Sequence, residues 1–117
     1  MRVRRIVPDF KAPDPKVGTA FYSEVLGLEV VMDRGWIVNY AAHENPSAQI
    51  IVMREDASAP VVPDASIEVD DVDAAHEAAQ RLGAEIVHPL TDEPWGVRRF
   101  FVRDPHGRVL NVLTHVE

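Results

Sequence analysis

Apolar and polar residues recur along this chain in two rhythms, one of period two and one near 3.6, and the switches between them outline its elements. Val3 to Phe10 is a β-branched stretch that reads as a strand. Asp14-Pro15 then opens a helix, because Asp caps an N-terminus well and Pro is tolerated at the first helical position. Val17, Phe21 and Val25 recur at helical spacing and predict one buried stripe, which Gly27 ends. Strands follow at Leu28 to Met32, Trp36 to Ala41 and Gln49 to Met53, separated by Gly35 and by the loop His43-Glu44-Asn45-Pro46-Ser47. Farther on, Ala65-Ser66-Ile67-Glu68-Val69 alternates as a half-buried strand does. Asp71 caps a second helix whose stripe is Val72, Ala75, Ala79 and Leu82, with Gly83 as its stop. The last strands are Ala84 to His88, Val97 to Val102 and Val109 to His115, the final two joined by the turn Asp104-Pro105-His106-Gly107.

The second half restates the first. Leu26-Gly27-Leu28-Glu29-Val30-Val31 returns as Leu82-Gly83-Ala84-Glu85-Ile86-Val87, and Asp14 before the first helix is echoed by Asp71 before the second. Such self-similarity predicts two copies of one supersecondary unit, each βαβββ. The expected boundaries are about 1–55 and 64–117, with the polar, Pro-bearing stretch 56–63 as linker, inside one domain of 117 residues.

Composition narrows the function classes. Twelve Lys and Arg against 19 Asp and Glu give a net charge of −7, which argues against a nucleic-acid footprint and an anionic-membrane surface. The chain has no Cys, so disulfides, thiolate metal sites and a cysteine nucleophile are excluded. No apolar run approaches a spanning helix and the N-terminus lacks a signal-peptide core, so a cytoplasmic location is expected.

The βαβββ order stated twice, the stretch Ala20-Phe21-Tyr22-Ser23-Glu24-Val25-Leu26-Gly27-Leu28, and the run from Glu93-Pro94-Trp95-Gly96 to Asp104-Pro105-His106-Gly107 resemble the vicinal oxygen chelate superfamily. That group includes glyoxalase I, ring-cleaving dioxygenases, fosfomycin-modifying enzymes and bleomycin-binding resistance proteins. The resemblance covers the whole chain and implies an α+β fold, a curved mixed-sheet cup of the glyoxalase/bleomycin-resistance type. It implies no single activity. The resemblance further implies a homodimer, and antibiotic or natural-product resistance as a setting. In the superfamily's metalloenzymes four ligands, usually His and Glu, line the cup; their positions fall here on Val7, Asp64, Asn111 and either Gln49 or Ile51. Val cannot ligate, and neutral amides are weak ligands for divalent metals that favour imidazole and carboxylate. The expectation is therefore no metal and no cofactor. A relocated site would have to use His115 and Asp64, since His43, His76, His88 and His106 show no ligand-like spacing. The acidic run Glu68, Asp70, Asp71, Asp73 lacks the glycine and spacing of a calcium loop and reads as helix capping.

Strand parity then assigns sides. Ala65, Ile67 and Val69 should face a helix, as should Ile6 and Phe10, leaving Val7, Asp9, Asp64, Ser66, Glu68, Val109, Asn111 and Leu113 toward the cup. Aromatic candidates are Trp36 and Tyr40 on the third strand, Trp95 in the loop before the seventh, and Phe101 within it. A cup with apolar walls, flat rings and a few amides suits a medium-sized, partly planar organic ligand. The expected contact set is Trp36, Tyr40, Ile51, Ser66, Trp95, Phe101, Asn111 and Leu113, with no catalytic residue. The leading expectation is metal-independent binding and sequestration of a small hydrophobic or aromatic compound. The alternative is an enzyme of the same superfamily, a lyase, isomerase or dioxygenase-like protein, with a noncanonical metal or with Asp9, Asp64 or Glu68 as general base, its pKa raised by burial. A third reading is a structural or regulatory dimer unit whose interior is filled by side chains.

Overall fold

A computed structural model describes residues 1–116. Its elements are β1 (Val3–Lys11), α1 (Thr19–Leu26), β2 (Leu28–Asp33), β3 (Ile37–Ala42), β4 (Gln49–Met53), β5 (Ala65–Val69), α2 (Val72–Arg81), β6 (Ile86–Glu93), β7 (Val97–Arg103) and β8 (Val109–His115). This is the α+β pattern expected, βαβββ twice over. The chain divides into two compact units, an N-terminal one of Val7–Val62 and a C-terminal one that joins Met1–Ile6 to the chain from Pro63 onward. The opening residues thus group with the second half. Their backbone is tied there, because Arg2 N–H donates to Asp70 Oδ1 at 2.8 Å and Asp70 N–H donates to the Arg2 carbonyl at 3.0 Å.

Both units use one topology. In the C-terminal unit the strand order is β5-β8-β7-β6, with β5 parallel to β8 and the other pairs antiparallel. In the N-terminal unit it is β1-β4-β3-β2, with β1 parallel to β4 and the rest antiparallel. A parallel pair needs a crossover, and the helix after each unit's first strand belongs to that crossover connection.

In the C-terminal unit α2 begins where Asp71 accepts a hydrogen bond from Ala74 N–H at 3.0 Å, as a capping residue should. It covers a core of Val69, Val72, Phe100 and Val112, bordered by Ile67, Ala75, Ala79, Leu110 and others. Leu82, expected in that stripe, is the C-cap and lies 86% exposed. Strand β6 also starts later than expected, at Ile86, and runs to Glu93.

The N-terminal unit departs further from expectation. Asp14 does not cap α1; its carboxylate accepts from Lys16 N–H inside a preceding turn, and the helix starts only at Thr19 behind Gly18. The core is Val38, Tyr40 and Val52, with Ala12, Tyr22, Leu28 and Ile50 against it. Tyr22 is the helical side chain turned inward, its ring 4.8 Å from that of Tyr40. One residue's rotation moves the expected stripe outward, so Val17, Phe21 and Val25 are 79%, 58% and 61% exposed. Ile6 and Phe10, also expected beneath a helix, are exposed. Tyr40 and Trp36 are likewise corrected. Tyr40 lies on the α1 side of β3, fully buried, with its hydroxyl donating to the Pro15 carbonyl at 3.1 Å and lying 3.0 Å from Thr19 Oγ1. Trp36 precedes β3 in a bend, half-buried, where its carbonyl accepts from Arg54 N–H at 2.8 Å. Among the described residues no helix is long and apolar enough to cross a membrane.

The Tyr40 hydroxyl anchors the turn that leads into α1, which has no side-chain cap of its own. Tyr40→Phe should therefore lower stability by about 1–2 kcal/mol, the cost of one buried bond plus an unsatisfied carbonyl, measured by urea denaturation.

Candidate functional site

Pairing register shows which side chains share a face. In the C-terminal unit the residues opposite one another across four strands are Ser66, Asn111, Phe101 and His88. The next row holds Glu68, Leu113 and Arg99, and the row beyond it pairs His115 with Val97 and Val97 with Glu93. Successive strand residues point to opposite sides. Since Phe100, Val112 and Val69 face α2, these rows face away from it. Of the sequence-derived candidates, Ser66, Phe101, Asn111 and Leu113 are thereby brought onto one surface, and all four are buried. Trp95 sits in the turn between β6 and β7, half exposed, where Gly96 at φ 85° makes the bend that L residues resist.

Two features give this face its chemistry. The first is an amide. Asn111 Nδ2 donates to Ser66 Oγ at 3.1 Å, while Asn111 Oδ1 is buried and has no hydrogen-bond partner among the described residues. The second is a buried charged group, where the sequence alone favours a solvated Arg99. Glu93 Oε2 accepts from Arg99 Nε at 2.6 Å and lies 3.3 Å from His88 Nε2, with all three side chains buried. The Arg99 guanidinium lies 4.9 Å from the centre of the Phe101 ring and 5.2 Å from that of Trp95, within cation–π range of both. At the next position along the face Glu68 meets Arg5 Nε at 2.6 Å and His115 Nδ1 at 3.0 Å. Burial pushes the Glu68 carboxyl up, but the His115 hydrogen bond and the Arg5 charge outweigh it and hold the group below its ordinary value. The expectation of a raised pKa is thus corrected at Glu68. A carboxylate so stabilised is a weak proton acceptor.

The N-terminal unit has its own face turned away from α1. There Asn39, Ile51 and Asp9 stand opposite one another on β3, β4 and β1. Ile51 is half-buried on this face, as parity requires, whereas Tyr40, paired with Ile50, is on the other side. Asn39 Nδ2 donates to Gln49 Oε1 at 3.1 Å, and Asn39 Oδ1 is buried and has no hydrogen-bond partner among the described residues.

The side chains at the four positions implied for metal ligands do not fit a metal. Val7 is buried hydrocarbon, Asn111 is a neutral amide spending its Nδ2 on Ser66, and Gln49 bonds the Pro46 carbonyl and Asn39. The Asp64 carboxylate accepts from Val109 N–H at 2.8 Å, fastening the start of β8. Among the described residues no three His, Asp or Glu side chains group so as to hold an ion.

The family model described as Glyoxalase/Bleomycin resistance protein/Dioxygenase superfamily matches residues 10–112, and the chain belongs to that superfamily. No curated protein matches it. Among solved structures, a superfamily member of that description from Vibrio splendidus 12B01 is similar at 18% identity and a TM-score of 0.74, over 98% of this chain and 100% of that one. An NAD-dependent benzaldehyde dehydrogenase from Legionella pneumophila is similar at 16% identity and 0.72, over 94% and 98%. The methylmalonyl-CoA epimerase of Streptomyces coelicolor, in complex with 2-nitronate-propionyl-CoA, is similar at 16% identity and 0.65, over 100% and 99%. At these identities the likeness is one of fold.

Two outcomes test the charged groups. Arg99→Met should destabilise the protein by about 3 kcal/mol in denaturant melts, because Glu93 loses a 2.6 Å charged contact while buried. Adding Glu93→Leu should restore more than half of that loss. Glu68 contributes stability that is fully present above its ordinary pKa of 4.5 and is lost as pH falls through its lower folded value. Glu68→Gln should therefore flatten the fall in Tm between about pH 6 and pH 3.

Proposed function

We propose that this member of the glyoxalase/bleomycin resistance protein/dioxygenase superfamily binds a small, partly flat hydrophobic or aromatic molecule on the α2-opposite face of its C-terminal unit, stoichiometrically and without a metal. The observation that carries this reading is the buried, unpartnered Asn111 Oδ1, in line with Ser66 and Phe101. An unsatisfied buried acceptor costs about 1–3 kcal/mol, and a donor on a bound molecule recovers that cost. Phe101 gives an apolar ring beside the acceptor, Leu113 an apolar neighbour along β8, and Trp95 a half-exposed ring at the adjoining turn. Affinity on such a surface comes from burial, stacking and one directional bond.

An acid–base enzyme is the weaker reading. Asn111 has no proton to exchange near neutral pH, and Glu68 is held in its ionised form by Arg5 and His115. Sequestration needs neither a base nor a leaving group, so the residues present suffice for it. A role in antibiotic or natural-product resistance follows if the sequestered molecule is toxic.

The test is a thermal-shift screen of flat aromatic compounds in the presence of a chelator, followed by titration of the hits. Ligands that bind only the folded state must raise apparent stability. Asn111→Leu removes the acceptor and keeps the volume; it should weaken hits about tenfold without lowering the melting temperature of the free protein. Trp95→Ala should weaken them too. Hits that bind Asn111→Leu as tightly as the unaltered chain, or a shift produced by Zn²⁺, Ni²⁺, Mn²⁺ or Fe²⁺ alone, would count against the reading.

A further inference from the structure

We infer that the α1-opposite face of the N-terminal unit selects ligand groups that donate hydrogen bonds, with Asn39 Oδ1 as the accepting atom. An amide's oxygen and nitrogen are alike in shape, so only their partners can say which is which. Here the partners form a chain of decisions. The Pro46 carbonyl can only accept, so the atom of Gln49 that meets it at 2.7 Å is the donor Nε2. The other Gln49 atom is then Oε1, which can only accept, and the Asn39 atom 3.1 Å from it must be Nδ2. That leaves Oδ1 as the Asn39 atom with no partner, buried among the described residues. Its polarity is fixed by a backbone carbonyl seven residues away.

The surroundings reinforce that polarity. Asn39 stands in one row with Ile51 and Asp9, and strand spacing puts Asp9 about 10 Å from Asn39. Asp9 is a buried carboxylate with an interaction of its own. Ile37, Ala41 and Met53, all buried, share the same parity, and Lys11 of that parity is exposed at the end of β1. An amidinium, ammonium or amide N–H meets an oxygen here and an acidic neighbour two strands beyond it. A carboxylate or phosphate brings only lone pairs and negative charge, and meets the same groups as repulsion. The inference uses N-terminal unit residues alone and is independent of the reading of Asn111.

Benzamidine and benzoate share one ring and differ in polarity, which makes them matched probes. In ¹H–¹⁵N spectra of the full chain, millimolar benzamidine should shift the Asn39 side-chain amide, and benzoate should bind there at least about tenfold more weakly. Asn39→Leu should weaken benzamidine about tenfold, and Gln49→Leu, which removes the acceptor that holds the Asn39 nitrogen and so sets its oxygen, should weaken it too. A merely structural Asn39 moves neither affinity. Equal binding of the two probes, an unshifted Asn39 amide, or benzamidine affinity unchanged in both variants overturns the inference. Because the readout is residue by residue, perturbation at Asn111 without any at Asn39 sinks this inference and leaves the other standing.

Discussion

A strand cannot exchange its two faces without exchanging every side chain on them, and that constraint organises both units. In β7 it decides between neighbours. Phe100 must lie under α2 with Val69, Val72 and Val112, so Arg99 and Phe101 must point the other way. Arg98, on the α2 side with Phe100, reaches Asp73 at 2.9 Å and Asp92 at 3.1 Å near solvent, while Arg99 is enclosed. A slip of one residue would put a phenylalanine's place under α2 in the hands of an arginine. The helix core thus fixes, indirectly, every side chain of the candidate surface on β5, β8 and β7.

Enclosing Arg99 has a thermodynamic consequence. A buried ion pair seldom stabilises more than well-packed apolar residues of the same volume, since desolvation offsets most of the Coulombic gain. The Glu93–Arg99 contact is therefore poorly explained by stability alone. Geometry explains it better. Glu93 ends β6 and Arg99 lies within β7, so their bond spans the turn that carries Trp95 and sets the guanidinium against Trp95 and Phe101 together. An apolar pair would fill the same space without a preferred direction. His88, 5.3 Å from the Phe101 ring and 3.3 Å from Glu93, adds a third restraint.

What the sequence made legible follows the strength of its periodicities. Alternation in Ala65–Val69 placed Ser66, whereas Val109-Leu110-Asn111-Val112-Leu113 is apolar on both faces and the family resemblance set Asn111 and Leu113 beside Ser66, where the pairing puts them together with Phe101. The repeat of Leu-Gly before a strand announced two like units, and the topology repeats accordingly. Tyr40 was misassigned because Ile37-Val38-Asn39-Tyr40-Ala41-Ala42 is mostly apolar on both faces, so no polar residue marks a side except Asn39. The α1 stripe was misread because Phe21 and Tyr22 are adjacent aromatics. Tyr22 turned inward to meet Tyr40, a tertiary preference that helical spacing alone does not contain. Arg99 reads in the sequence as a solvated strand residue, because charged residues near a Pro-Trp-Gly turn ordinarily face solvent, and the structure instead buries it with Glu93 and His88. The available signal was that Arg99 shares parity with Phe101 and Val97.

Membership in the superfamily settles the fold, and the donor atoms must then settle the chemistry. An amide at position 111 differs from a carboxylate in charge and in having one atom of each polarity. With one Nδ2 hydrogen given to Ser66, the oxygen is the Asn111 atom left without a partner among the described residues, and an acceptor without charge discriminates by direction more than by strength. Asn39 reaches the same condition through Gln49. In each unit, then, an amide gives one hydrogen within the chain and keeps an oxygen without a partner among the described residues. A neutral oxygen of this kind holds a metal weakly and moves no proton, yet it rejects any molecule that cannot give it a hydrogen.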